Sequence, residues 1–392
     1  MVFLRIILLS LFISQSASAD FLPEWTILHY GSGNNNLDDL IQEDVNQMEM
    51  IGSTPKIQIV TQLASLRTRS VKRYHIQKDS DPQVITSPIV GDLGNVDMGD
   101  WKSLADFIIW GMKNFPARHY FVIIGGHGSG WRQKASEPAA NPIRVVSPDD
   151  FSGNSISTTQ LGQVFSAVRH TTGRRVDIFG ADACLMASIE VATEISANVD
   201  YMIASQELEP GEGWVYQEFL MRLNRESDQR ARNIARVSAR SYMAGYMRNR
   251  ADSYQRIALT MSAVDLAAMN RFNRKFSLLP KIIAKATNLA GYNAALAGAR
   301  GRVSDRSYAD IGLLLVGILQ LPLDEATRRA VAEILAEYER NLVVTEHSSQ
   351  SHSDTTGLTV WAPLTPEDTR AYKSAYNELL FDRFTHWGSL FN

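Results

Sequence analysis

Two residue types in this chain invite a chemical reading, a thiol and an imidazole, each placed where an apolar run ends. Cys184 is the only cysteine, and a thiolate is the strongest common side-chain nucleophile. His127 is one of eight histidines, and imidazole titrates near neutrality, so it can take and return a proton. His127 closes the run HYFVIIGGHGSGW, and Cys184 closes the run VDIFGADACLMASIEVA. Each run reads as a buried strand passing into small residues. The stretch after Cys184 reads as a helix, so the thiol is expected at a positive helix end that favours the thiolate. Glycines beside His127 let a substrate approach the backbone closely.

Each residue taken alone has an ordinary explanation. Free cysteine is among the most buried residue types, and a histidine at a strand end commonly serves structure. Together, at two strand ends of one sheet, they form a nucleophile and acid–base pair. The other histidines (His29, His75, His119, His170, His347, His352 and His386) lack such a setting and show no metal-ligand spacing. Competing motifs fail. Gly126-His-Gly-Ser-Gly130 follows a strand, but Trp131 stands where a dinucleotide loop needs its third glycine. Gly31-Ser-Gly33 fails likewise, at Asn36. No serine sits in a nucleophile-elbow pattern.

The elements that must position the pair follow from periodicity. Short apolar, β-branched runs predict strands at 25–30, 57–63, 119–124, 176–179, 201–204, 257–261 and 358–361. Helical spacing begins at Leu37 and continues through Leu40, Ile41, Val45 and Met48. It recurs over 101–115, with Leu104, Phe107, Ile108 and Met112 on one face, and over 158–168 after a Ser/Thr cluster suited to capping. Alternating strands and helices predict an α/β fold, a mostly parallel sheet with helices on both faces. Sites in such sheets form at the carboxyl ends of strands. After about residue 215 the pattern is largely helical. The expected division is a core at 20–215 and a C-terminal helical extension at 216–392 with a late strand, packed on the core. Residues 132–157 and 345–356 read as long irregular segments, which are commonly functional.

Bulk properties set the compartment and exclude some partners. Residues 1–19 carry Arg5, an apolar run from Ile6 to Ile13, and Ala17-Ser18-Ala19. This is the pattern of a cleaved signal peptide, and the run is too short to span a bilayer. The expected protein is therefore secreted or periplasmic, without stable membrane insertion after cleavage. A net charge of −3 argues against nucleic acid as a partner. Arg232, Arg236 and Arg240 share one helical face, which reads as solvated. With 45% hydrophobic and 21% charged residues, the chain can bury a sizeable core. An exported lone thiol cannot form an internal disulfide and is a liability unless buried or used.

The two blocks together resemble the clan of cysteine peptidases that includes clostripain, gingipain, legumain and the caspases, and most closely the clostripain-like family. WTILHYGSGNNNLDDL resembles that family's opening strand and asparagine-rich turn. LGNVDMGDWKSLADFIIWGMKNFPARHYFVIIGGHGSGW resembles its histidine block and GADACLMASIEVA its cysteine block; Gly211–Trp214 and GLTVWAP also fit. The likeness spans nearly all of the chain after residue 19. One departure is Asn34, where relatives carry an aspartate.

The resemblance implies a caspase-like fold and a cysteine endopeptidase acting on peptide or protein substrates. Cys184 would be the nucleophile and His127 the acid–base. The N–H groups of Gly128 and Cys184 would form the oxyanion hole. It implies a substrate-binding role for Asp182, two residues before the cysteine, where a carboxylate selects arginine or lysine. Glu207 and Glu212 are further candidates for that wall. No cofactor is required, although some relatives use calcium. Relatives made as precursors are cut between the two blocks, and Arg132, Lys134 and Arg144 offer sites here. A binding module on the same fold, or an acyl hydrolase with the same nucleophile, remains the alternative.

Overall fold

A computed structural model describes residues 22–132, 145–249 and 257–391. The expected signal peptide, Lys134 and Arg144 lie outside the described residues. Eleven strands are found there: β1 (Trp25–Gly31), β2 (Ile57–Ser65), β3 (Ser70–His75), β4 (Ile89–Gly94), β5 (His119–Gly125), β6 (Val176–Asp182), β7 (Val199–Ala204), β8 (Thr260–Asp265), β9 (Tyr308–Asp310), β10 (Val343–Ser348) and β11 (Thr359–Trp361). Nine of them form one sheet in the order β10-β8-β7-β6-β5-β1-β2-β3-β4, and β11 pairs with β9 in a small second sheet.

The five central strands are parallel, and the pairs at both ends of the sheet are antiparallel. The central strands are mostly apolar because both of their faces are covered, with Thr26, His29, Thr61 and Gln62 as buried polar exceptions. Their side chains divide by period two. Leu28, Tyr30, Val60, Val122, Ile124 and Phe179 belong to one core layer. Ile27, Ile57, Ile59, Phe121, Ile123 and Ile178 belong to the other. The first layer packs against the helices Trp101–Asn114 and Thr158–Thr172. The second packs against Asp38–Glu49, Tyr216–Arg225 and Ala231–Asn249. Each buried aliphatic side chain contributes roughly 1.5–3 kcal/mol, so the apolar stripe of each helix fixes which face it covers. Leu104, Phe107, Ile108 and Met112 are all buried, as their spacing predicts.

Local signals set the helix ends. The Asp100 carboxylate accepts from Lys102 N–H. Ser157 and Gln160 form a reciprocal capping box at the start of Thr158–Thr172, which ends at left-handed Gly173. Strands β3, β4, β9 and β10 were not expected, and part of the segment read as irregular at 345–356 is the sheet-edge strand β10. These strands are short or lie towards the sheet's ends, and β4 and β10 are partly exposed, with apolar stretches of only two residues, so they show no long apolar run. The C-terminal part contributes β8 and β10 to the same sheet, and its helices after residue 265 share the first core layer. Among the described residues no helix is long and apolar enough to cross a membrane.

Candidate active site

Strands β5 and β6 are parallel neighbours, with Gly125 opposite Asp182 in register. Gly126 N–H donates to the Asp182 carbonyl at 3.1 Å. His127 and Cys184 therefore each lie two residues beyond the same register pair, at the carboxyl ends of adjacent strands. The joint between them is tight. A Cβ on Gly128 would stand 2.7 Å from the Cys184 carbonyl oxygen and 2.8 Å from Ala183 Cβ. Only a residue without a side chain lets the two turns approach so closely. Leu185, directly after the thiol, adopts left-handed φ 63°, a conformation costly for a non-glycine residue and commonly held at functional sites.

The helix expected at Cys184 begins later. It spans Ile189–Ile195, capped by the Ser188 hydroxyl, and Cys184 lies in the turn that precedes it. The apolar run ACLMASIEVA reads as helix, but its first residues turn beneath the 205–209 segment: Leu185 N–H donates to the Glu207 carbonyl and Ala187 N–H to the Ser205 carbonyl. No helix end assists the thiol. Burial pushes its pKa up, Asp182 and Glu207 add to this, and the Glu209 N–H opposes it. That N–H lies 3.3 Å from Cys184 Sγ. Burial also lowers the pKa of His127, with Asp150 opposing. Both shifts disfavour the charged forms, thiolate and imidazolium.

His127 is oriented by a residue that local sequence reading did not single out as functional. Its Nε2 stands 2.7 Å from Asn36 Oδ1. With the amide oxygen facing the ring, Nε2 carries the proton and Nδ1 keeps the lone pair. Asn36 belongs to the asparagine turn after β1, and β1 pairs with β5 so that Gly31 lies opposite Gly125. The same turn explains Asn34. Its Nδ2 donates to Asp149 Oδ2 at 2.7 Å, so a carboxylate is present from a different segment. Asn35 Nδ2 donates to the carbonyls of Ser32 and Pro148. The turn after β1 is thereby tied to residues 148–150.

Among the described residues, the N–H groups of Gly128 and Cys184 are not engaged by another residue. Both remain available as donors beside the thiol.

The candidate acids separate into different roles. Asp182 is buried; its carboxylate accepts from Trp214 N–H at 3.1 Å and from Tyr216 Oη at 2.9 Å. Burial nevertheless pushes its pKa up to about 6. The Glu207 carboxylate accepts from Ser304 N–H at 2.7 Å and lies 3.2 Å from His352 Nε2. These contacts tie the 304 and 352 segments to it. Glu212 is half-buried in the segment after β7. Glu209, between them, is the acid that directly adjoins Asp182 and Cys184. No local pattern distinguishes it; its position follows from β7 lying beside β6.

A cleft of about 540 Å³ opens in front of this joint, lined by Asn36, His127, Gly128, Leu185, Leu208 and Asp305 among others. Arg132, one of the expected cleavage sites, is 1% exposed. Its guanidinium lies 4.3 Å from the centre of the Tyr372 ring and 2.5 Å from Ser307 Oγ. Among the described residues no group of three or more His, Cys, Asp or Glu side chains is arranged to hold a metal ion.

Comparison with known proteins extends the resemblance. Clostripain from Hathewaya histolytica is 24% identical over 226 residues, which covers 50% of this chain and 42% of that protein. The chain therefore spans less than half the length of this curated relative. A secreted C11 cysteine protease from Bacteroides thetaiotaomicron, solved with an irreversible peptide inhibitor, superposes with a TM-score of 0.68 at 16% identity, covering 93% of this chain and 99% of that one. An inactive zymogen C11 protease from Parabacteroides distasonis gives 0.66 at 14% identity, covering 93% and 98%. These likenesses establish the shared α/β fold. The model of the clostripain family matches residues 29–392, and the chain belongs to that family, the C11 cysteine peptidases.

Proposed function

We propose that this chain is an exported cysteine endopeptidase that cuts peptides after arginine or lysine, with Cys184 as nucleophile and His127 as acid–base. The observation that carries this reading is the register of β5 and β6, which sets the thiol and the imidazole at equivalent positions past one residue pair. The pattern at residues 1–19 supports export, as does the description of the Bacteroides thetaiotaomicron protease as secreted.

The chemistry follows from a neutral resting pair. As a scissile carbonyl settles beside Cys184, the thiol proton passes to His127 Nδ1 and the sulfur attacks the carbonyl carbon. The developing oxyanion takes hydrogen bonds from the N–H groups of Gly128 and Cys184, an arrangement worth about 10²–10³ in rate per donor. Asn36 Oδ1 keeps the imidazolium aligned through Nε2–H. Collapse breaks the C–N bond, and Nδ1–H protonates the departing amine. Water then attacks the thioester, giving a proton to His127. The sulfur leaves, recovers that proton, and the acid product is released. Asp182 favours a basic residue before the cut. The precursor is cut within 133–144, after Lys134 or in front of the docked 145–157 segment at Arg144.

The test is hydrolysis of fluorogenic arginine, lysine and neutral peptides by wild type and Cys184→Ala, with and without calcium. Turnover of basic substrates that disappears in the variant supports the reading. No turnover, even after trypsin nicking between residues 132 and 145, favours a binding module on the same fold. Turnover of esters but not peptides favours an acyl hydrolase.

A further inference from the structure

The arginines expected on one solvated helical face do not share one environment. On the helix Ala231–Asn249, Arg232 lies 2.9 Å from Asp265 Oδ2, whereas Arg236 and Arg240 line a cleft shared with the helix Tyr216–Arg225. The two helices run antiparallel. Tyr246 Oη donates to the Gly213 carbonyl just before one helix begins, and Arg248 pairs with Glu218 in its first turn. The cleft between them holds about 340 Å³, and its lining includes five arginines (Arg222, Arg225, Arg236, Arg240 and Arg248) and two acids, Glu218 and Glu226. Three positive charges are thus left over in the cleft of a chain whose net charge is −3.

The acids are already engaged. Glu218 is buried, and its two oxygens are taken by Arg222 and by Arg248, the latter at 2.7 Å. Glu226 Oε1 accepts from Ser227 N–H at 3.0 Å and from Asp228 N–H at 3.2 Å, in the turn after its helix. Asp228, the next acid along, pairs with Arg230. Arg236 reaches the neutral amide oxygen of Asn233 at 2.8 Å. Among the described residues the side chains of Arg225 and Arg240 have no hydrogen-bond or ion-pair partner. On the far side, His347 of β10 brings no negative charge; burial, then Arg240 and Arg236, lowers its pKa. Arg236 and Arg240 are four residues apart on one helical face, about 6 Å along the axis. Three exposed guanidiniums therefore line one cleft without a carboxylate between them.

We propose that this cleft binds a phosphate-type oxyanion through Arg225, Arg236 and Arg240. A guanidinium presents its N–H donors in a planar fork that matches such an anion. A carboxylate would bring one charge and two oxygens to three cations. A phosphate monoester brings a charge of about −1.5 to −2 at pH 7 and three acceptor oxygens, the closer balance. Arg222 and Arg248 hold Glu218 in place, so that carboxylate does not compete for the three. The site shares no lining residue with the cleft at His127, and its occupancy does not depend on peptidase chemistry. Soluble phosphate esters and lipid headgroups present the same group, and the experiment separates these sources.

The experiment is calorimetric titration of inorganic phosphate into wild type, Arg240→Gln and Arg225→Gln/Arg240→Gln, with chloride holding the ionic strength constant. Wild type is expected to show saturable binding, weakened about tenfold or more by Arg240→Gln and further by the double change. Arg329→Gln, which removes a cation paired with Glu325 on another helix, should bind as wild type does. Both cleft arginines are exposed, and an unchanged melting temperature without phosphate confirms the fold of each variant. No saturable binding, or equal affinity in every protein, overturns the proposal. Sedimentation with phosphatidylcholine vesicles, with and without phosphatidic acid, then assigns the source. Pelleting that needs phosphatidic acid and is lost in Arg240→Gln supports a lipid headgroup; phosphate binding without pelleting supports a soluble ester. An Arg240-dependent complex with polyglutamate that phosphate fails to displace would overturn the proposal in favour of an acidic protein partner.

Discussion

Asn36 Oδ1 stands 2.7 Å from Nε2 of His127, and this contact fixes which ring nitrogen is free to take a proton. Asn36→Ala leaves the imidazole free to turn and to exchange tautomers, so kcat should fall on the order of tenfold with KM little changed. A merely structural asparagine would lower stability without this split, so kcat and KM measured alongside melting temperature decide the matter. Asn36→Asp should raise the His127 pKa, visible as a shift of the acid limb of kcat/KM to higher pH.

The joint between the two turns gives a sharper prediction. The Cβ introduced by Gly128→Ala would lie 2.7 Å from the Cys184 carbonyl oxygen and 2.8 Å from Ala183 Cβ. One turn must move, carrying one proposed oxyanion donor away from the other. Turnover should fall about 10²-fold or more, while far-ultraviolet circular dichroism and peptide binding to the inactive protein change little. Retained turnover would remove Gly128 from the oxyanion hole.

The central strands, and the placing of Cys184 and His127 at strand ends, were legible in the sequence, and the reason is burial. A parallel strand covered on both faces is a continuous apolar run, so β1, β2, β5, β6 and β7 declare themselves. Strand β4, containing Gly91, Asp92 and Gly94, and β10, with Thr345, Glu346 and His347, lie at the sheet's ends and carry no such signal. The turn around Cys184 was misread because small apolar residues pack as well under a neighbouring loop as on a helix. The placements of Asn36 beside His127 and of Glu209 beside Cys184 were invisible. Their positions depend on β1 lying beside β5 and β7 beside β6, a matter of strand order rather than local pattern.

Glu207 separates a pocket wall from a brace. Its carboxylate, 1% exposed, holds Ser304 N–H and His352. Removing this acceptor leaves the Ser304 N–H without its partner, which costs about 1–3 kcal/mol. Glu207→Ala should therefore lose stability in urea unfolding while the ratio of arginine to neutral substrate turnover stays near that of wild type. A collapse of that ratio at unchanged stability would return Glu207 to the substrate wall.

Processing should spare Arg132. The side chain is buried against Tyr372 and Ser307, so a peptidase cannot seat it without unfolding that corner. Downstream, Val146 pairs with both Gly128 and Ile156, and Asp149 holds Asn34. A cut within 133–144 should leave both fragments associated. N-terminal sequencing and intact mass locate the cut, and size exclusion reports association. Cleavage after Arg132, or separation of the fragments, would contradict this arrangement.

The buried carboxyls also predict how stability depends on pH. Asp182 has its pKa pushed from 3.8 up to about 6 by burial. Between those values the folded chain holds a proton that the unfolded chain has released. Stability from this group is therefore full below about pH 4 and lost as pH rises through about 6. The whole shift corresponds to about 3 kcal/mol at most. Other carboxylates impose slopes of their own, so the comparison must be differential. In the Cys184→Ala background, Asp182→Asn should become progressively more stable relative to its parent from pH 4 to 7, whatever its offset at pH 4. Urea unfolding at three pH values measures this. A difference that stays constant across the range would mean Asp182 is ionised in the fold at all of them.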